Sequence, residues 1–208
     1  MKLAIIATNG QAGQAIAKEA VDRGHQVTAI VRSENKSAAQ EVLQKDAFAL
    51  TKEDLAGFDV VINAFGAWTP ETLPDHARLA SHLTTILADS PTRLLVVGGA
   101  GSLYLDESQT AMLKDAPDFP ADYLPIAEAM GAGLDIYRQA TAVNWTYISP
   151  AADFDAQGPK TGNYTLAGEV FQVNAQGESH ISYVDYALAL VDIVEKGGYQ
   201  QERISVFA

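Results

Sequence analysis

Short runs of aliphatic and β-branched residues alternate along the chain with longer stretches in which apolar positions recur every three or four residues. The short runs are Lys2–Ala7, Gln26–Val31, Asp59–Asn63, Arg93–Gly98 and Asn144–Ser149, with a weaker one at Ala47–Leu50. They are almost continuously apolar, which predicts strands covered on both faces rather than the in-out alternation of a half-exposed antiparallel sheet. The longer stretches predict helices at Gln11–Arg23, Ser37–Gln44, Pro74–Asp89 and Ala121–Ala142; in the first, Ala12, Ile16 and Ala20 share one face and Gly24 ends the helix. Strands and helices taken in turn predict an α/β fold built on a doubly wound parallel sheet. From about Ala151 the composition shifts toward Gly, Pro, Asn and Gln, before a last helix at Tyr183–Glu195 and a short strand at Arg203–Phe207. This tail is expected to form a small C-terminal lobe on a single domain spanning 1–208.

Composition narrows the chemistry. Only 14 Lys and Arg stand against 26 Asp and Glu, a formal charge of −12, and no basic patch interrupts that balance. Such a chain repels nucleic-acid backbones and anionic lipid, so neither partner is expected and a small-molecule ligand becomes the default. With no Cys there is no disulfide framework and no thiolate chemistry. The opening apolar run Leu3–Ala7 is cut by Asn9 and Gly10, too early for a signal-peptide core, and no apolar stretch approaches the ~20 residues that cross a bilayer. A soluble, cytoplasmic protein is expected, as a monomer or homodimer.

The first strand runs directly into Ala7-Thr8-Asn9-Gly10-Gln11-Ala12-Gly13, and a helix follows at once. Strand, glycine turn, helix is the setting of a dinucleotide site: Gly10 lets backbone approach a pyrophosphate, Gly13 lets helix pack on strand, and free N–H groups at the helix start face the anion. Ala7 stands where such turns usually carry their first glycine. At the end of the second strand, an acidic residue would accept from a ribose 2′-hydroxyl and select NAD, whereas this chain has Arg32 followed by Ser33. A guanidinium there suits a 2′-phosphate or stacks on adenine, so NADP is expected, with NAD possible.

These features, together with the run Asp59–Ala64, the run Arg93–Leu103 with its glycines, and Ile148-Ser149-Pro150-Ala151, resemble the atypical short-chain dehydrogenase/reductase superfamily over nearly the whole chain. Within it the chain is most similar to the small NAD(P)H-binding proteins of the NADH-flavin reductase type. The resemblance implies a Rossmann fold in which residues beyond about 151 form a substrate lobe. It implies that Asn63, Ala64, Phe65 and Gly66 flank the adenosine side, that Gly98, Gly99 and Ala100 pass beneath the nicotinamide ribose, and that Ser149, Pro150 and Ala151 lie beside the carboxamide. The wider superfamily uses a Tyr with a Lys four residues on, the ammonium lowering the phenol pKa for acid–base work. No Tyr here has that partner: Tyr123 is followed by Ala127, Tyr137 by Thr141 and Tyr183 by Ala187. Carbonyl reduction by that relay is disfavoured, whereas a flavin accepts hydride with little help beyond stacking. The catalytic residues are therefore left unassigned, and flavin is expected as a substrate rather than a prosthetic group. Trp68, Tyr104, Tyr123 and Phe154 are the candidate stacking residues, Trp68 and Tyr104 foremost because each lies just past a strand end. The stretch Tyr104–Pro125 reads as a lid.

Other constellations carry less. His76 and His82 are six apart on one predicted helix, the wrong spacing for chelation, so no metal is expected. Ser102 lacks the second glycine of a nucleophile elbow. Asp106 and Glu107 read as solvated acids, Ser182 and Asp185 as a helix capping box, and His180 as a structural histidine near the substrate lobe. Two functions fit the pattern: a reductase of a flavin or similar flat acceptor, and a non-catalytic sensor of NAD(P) redox state. A nucleotide-sugar-type epimerase is a weaker third, since no base near the nicotinamide is evident.

Overall fold

The computed structural model describes residues 1–208. The chain runs β1 (Lys2–Ile6), α1 (Gln11–Asp22), β2 (Gln26–Val31), β3 (Glu41–Gln44), α2 (Lys52–Leu55), β4 (Val60–Asn63), α3 (Asp75–Ile86), β5 (Arg93–Val97), α4 (Leu124–Gln139), β6 (Trp145–Ser149), β7 (Asp153–Asp155), β8 (Thr165–Ala167), β9 (His180–Ser182), α5 (Tyr183–Lys196) and β10 (Glu202–Phe207). Eight strands form one sheet in the order β3-β2-β1-β4-β5-β6-β10-β8, and β7 and β9 form a separate parallel pair. Every neighbour in the large sheet is parallel except β8, which runs antiparallel to β10.

The continuous apolar runs have a direct explanation in the two cores. On β1, Leu3 and Ile5 face the layer of α1 and α5, while Ala4 and Ile6 face the layer of α3 and α4. β4 divides likewise, with Val60 and Ile62 on one side and Val61 on the other. A period-two backbone covered on both faces needs apolar residues at every position. Strand order reverses direction between β1 and β4, so the crevice beyond their carboxyl ends is where an open α/β sheet binds ligands. No helix is long and apolar enough to cross a membrane.

Two expected elements change type. Ser37–Gln44, read as a helix, contains β3 instead: Asn35 and Ser37 make an Asx turn, with Ser37 N–H donating to Asn35 Oδ1 at 3.0 Å, and Glu41–Gln44 then pairs along β2. Short polar side chains that hydrogen-bond nearby backbone compete with helix, and β2 offered an open edge. Ala47–Leu50, read as a weak strand, holds a 3-10 turn over Ala47–Ala49, started by Asp46 accepting from Phe48 N–H at 2.9 Å. The helix expected over Ala121–Ala142 begins only at Leu124, after a 3-10 turn at Ala121–Tyr123, with Pro125 in its first turn where the missing N–H costs nothing. Half of the expected capping box is present. Ser182 Oγ accepts from Asp185 N–H at 3.1 Å, but the Asp185 carboxylate turns to Thr161 and Gly162, accepting from Thr161 Oγ1 at 2.7 Å and Gly162 N–H at 2.9 Å. It anchors the 156–163 loop to α5.

Candidate functional site

The turn after β1 is built around a left-handed residue. Ala7 has φ +58°, a conformation that side chains disfavour and glycine does not, which is the physical reason a glycine is usual there. Its N–H donates to Ile30 at 3.0 Å and its carbonyl accepts from Gly10 N–H at 3.0 Å. Thr8, fully buried, donates its hydroxyl to the Ile5 carbonyl. Gly13 has no room for a side chain: a Cβ would lie 2.8 Å from Thr8 Cα and 2.9 Å from the carbonyl oxygens of Ala7 and Thr8, all backbone. Gly10 is different. A Cβ there would meet only the Ala7 oxygen, at 3.4 Å, so its openness serves whatever approaches from outside. Gly10 and Gln11 are exposed, and no side chain caps α1. An uncapped helix start beneath an open glycine suits an anion.

Asn9 ties this turn to the loop after β2, donating to the Glu34 carbonyl at 2.9 Å and accepting from Lys36 N–H at 2.8 Å. Arg32 and Ser33 lie exposed on that loop, so the turn and Arg32 form one rim. After β4, buried Asn63 donates to Tyr137 OH at 3.2 Å and accepts from Phe65 N–H at 3.1 Å. Its amide shapes the Ala64–Gly66 turn from within. Phe65 packs edge-on against Phe48 and His76, with centroids 6.1 and 5.6 Å away. Burial pushes the His76 pKa down, and its Nε2 lies 3.1 Å from the Ala67 carbonyl. His82 reaches the Leu50 carbonyl at 2.9 Å. Both histidines therefore serve the backbone.

At the end of β5 the chain lies flat on what is beneath it. A Cβ on Gly98 would come 2.2 Å from Tyr147 Cε1, one on Gly99 would come 2.9 Å from Met130 Sδ, and one on Gly101 would come 2.5 Å from Ala127 Cβ. Gly99 N–H donates to Tyr147 OH at 3.2 Å. Burial pushes the Tyr147 phenol up to about 12 and raises Tyr137 as well, so both stay neutral at ordinary pH. Ala127 occupies the position four after Tyr123, and its methyl is the surface on which Gly101 rests. Ser149, Pro150 and Ala151 are buried at the end of β6, and the Ser149 hydroxyl has no hydrogen-bond partner within the protein.

A family model for NAD(P)H-binding proteins matches residues 8–196. The chain belongs to that NAD(P)H-binding family. It is 48% identical over 209 residues to the uncharacterized protein YwnB of Bacillus subtilis (strain 168), covering 99% of this chain and 98% of that one. Among solved structures, the "putative NADH-flavin reductase" SP1627 of Streptococcus pneumoniae TIGR4 is 58% identical with a TM-score of 0.98, over 100% of this chain and 99% of that one. The "putative epimerase" of Bacteroides thetaiotaomicron is 33% identical with a TM-score of 0.86, over 99% and 96%. The nicotinamide dinucleotide of this family fits the residues present, since Gly13 lets α1 start tight against the turn and Gly10 leaves the approach to the uncapped helix start open.

Beyond the dinucleotide crevice the four candidate stacking residues are not equivalent. Trp68, on the loop after β4, is 68% exposed, and Tyr123, in the 3-10 turn before α4, is 57% exposed. Tyr104 is half-buried, with the Arg203 guanidinium 5.7 Å from its ring centroid. Phe154 instead packs on Tyr183 and Tyr186, centroids 4.0 and 4.9 Å away, against the α5 core. The lid expectation changes too. Tyr104 N–H donates to Glu169 at 2.9 Å, Phe171 N–H to Tyr104 at 2.8 Å, Leu113 N–H to Leu103 at 2.7 Å and Lys114 N–H to Gly101 at 2.9 Å. Residues 104 and 113–114 of this stretch are pinned, leaving between them an exposed tip where Asp106 accepts from Ser108 N–H.

The sequence pattern missed two pairings. Arg203, read only as the start of a strand, is buried against Glu169. His180 pairs through Nδ1 with Asp153 at 2.6 Å. Both depend on strands that are distant in sequence.

Proposed function

We propose that the protein is an NADPH-dependent reductase that passes hydride to a flavin or similar flat conjugated acceptor. The observation that carries this reading is the contact of Ala127 with Gly101. Where a relay lysine would stand, a methyl supports the loop, so the site suits an acceptor that needs no protein acid. The likeness to SP1627, named for flavin reduction, supports the same reading.

In this reading the whole chain forms one cofactor-binding unit, with residues from about 151 lining the acceptor side. The Ala7–Gly13 turn and the start of α1 hold the pyrophosphate, Arg32 and Ser33 the 2′-phosphate, and the Asn63–Gly66 turn the adenosine side. Gly98, Gly99 and Ala100 run beneath the nicotinamide ribose, and the Ser149–Ala151 backbone meets the carboxamide. The bound nicotinamide supplies hydride. Trp68, Tyr104 and Tyr123 orient the acceptor plane and exclude water from it. Phe154 supports α5 from within.

Purified protein supplied with NADPH, and in turn with FMN, FAD and riboflavin, tests this by loss of nicotinamide absorbance. NADPH oxidation that requires a flavin is the expected result. Tight NADPH binding without oxidation by any of the three overturns it in favour of a cofactor sensor.

A further inference from the structure

Arg203 is the second residue of β10, between Glu202 and Ile204, and its side chain is 0% exposed. A guanidinium is a costly group to bury, and a well-packed apolar side chain of similar size often gives equal or greater stability. Its contacts are therefore informative. One terminal nitrogen donates to Ser102 Oγ at 3.1 Å; the other donates to the Glu169 carbonyl at 3.2 Å and pairs with the Glu169 carboxylate. Arg138 of α4 reaches the same carboxylate oxygen at 2.8 Å. The guanidinium also lies 5.7 Å from the Tyr104 ring centroid.

Those partners lie on two segments far apart in sequence, which Arg203 joins. Ser102 ends the Gly98–Ser102 loop, which rests on Tyr147 and α4. Glu169 is bonded to Tyr104, two residues beyond that loop, through Tyr104 N–H to the Glu169 carbonyl at 2.9 Å and Phe171 N–H to the Tyr104 carbonyl at 2.8 Å, and these two residues form the wall beside the loop. A planar fork with donors on both arms can hold two such segments at a fixed spacing, which a single ammonium cannot. One side of the Tyr104 ring is turned to Arg203.

We infer that Arg203 is a positioning residue for the acceptor: its one guanidinium plane fixes the Tyr104–Glu169 wall against the Gly98–Ser102 floor. This rests on the acceptor reading above. Two arms make two separable contributions, the Ser102 arm to the floor under the nicotinamide and the Glu169 arm to the wall that receives the acceptor.

The test uses Arg203→Met, Arg203→Lys and Ser102→Ala in the full chain, with three readouts: NADPH affinity from nicotinamide fluorescence, FMN KM and kcat, and amide hydrogen exchange. Arg203→Met should leave NADPH affinity within about two-fold yet raise FMN KM by about ten-fold or more, because small misplacements near the reacting atoms are costly. Exchange should quicken together in residues 100–104 and 169–171, while residues 8–13 stay protected. Arg203→Lys, keeping only the Glu169 arm, should restore most of the FMN KM but not kcat. Ser102→Ala should loosen residues 100–103 alone. Folded Arg203→Met with wild-type KM, kcat and exchange overturns the inference. Should that variant fail to fold, unchanged exchange in Ser102→Ala overturns it. If the wild-type protein reduces no flavin, the acceptor reading fails while exchange still decides whether Arg203 couples the two segments; loosening confined to 169–171 would show that it does not.

Discussion

Gly10 and Gly13 are three residues apart in one turn, yet the structure gives them opposite tolerances. At Gly13 a methyl would strike backbone at 2.8 Å, so Gly13→Ala should lower stability by about 1–3 kcal/mol, as overpacking does, and weaken NADPH binding along with it. Gly10→Ala meets only a 3.4 Å contact and should melt near the wild-type temperature while still losing NADPH affinity. Thermal melts alongside NADPH titrations separate the two cases, and equal loss of stability at both positions would count against the geometry. Arg32, exposed on the same rim, should matter to one cofactor only. Arg32→Ala is expected to weaken NADPH by about 1.5–3 kcal/mol, as loss of a charge-assisted contact, and NADH far less. Equal losses for both would instead indicate stacking on adenine. These residues are legible in the sequence because glycine spacing and an Arg at a strand end are local signals. Arg203 is not, because one Arg in a short strand looks like an outward-facing residue unless the pairing of β8 with β10 is known.

The pairing of helices α1 and α5 carries a pH dependence. Arg23 on the C-terminal cap of α1 meets Asp192 at 2.6 Å and Glu195 at 3.0 Å, both on α5. Burial alone would raise the Asp192 pKa, but Lys196, Tyr164 and Arg23 outweigh it and bring it from 3.8 to about 2. A carboxylate held lower in the folded state than in the unfolded one adds stability above the unfolded value, and loses it as pH falls through the folded one. Asp185 is shifted in the same direction by the Thr161 and Gly162 donors, again against burial. Stability should thus hold at neutral pH and decline from about 4 toward about 2. Asp192→Asn should flatten that decline, measured by urea melts across the acid range; an unchanged slope would remove Asp192 from the account. At this scale the long strands are readable because both faces of each are buried. The three-residue strands β7, β8 and β9 are not, since so short a segment carries no period of its own and exists only through its partner. β3 is misread for a related reason: four residues beside an Asx turn take their state from the open edge of β2.

Across the whole molecule, the reversal of strand order between β1 and β4 gathers the glycine turn, the Arg32 rim and the Gly98–Ser102 loop at one end of the sheet. The acidic residues that set the net charge of −12 do not alter that arrangement; several sit in ion pairs such as those joining α1 to α5. What this end of the sheet does with a bound NADPH decides the function of the protein. Its most direct test is an anaerobic single turnover: protein, NADPH and FMN mixed in equal amounts, with flavin and nicotinamide absorbance followed together. The account predicts loss of one NADPH for each FMN reduced, at a rate unchanged by Tyr104→Phe and Tyr123→Phe and slowed by Trp68→Ala. NADPH that binds and leaves FMN oxidised would contradict it, as would a phenol-to-phenyl change that stops the reaction.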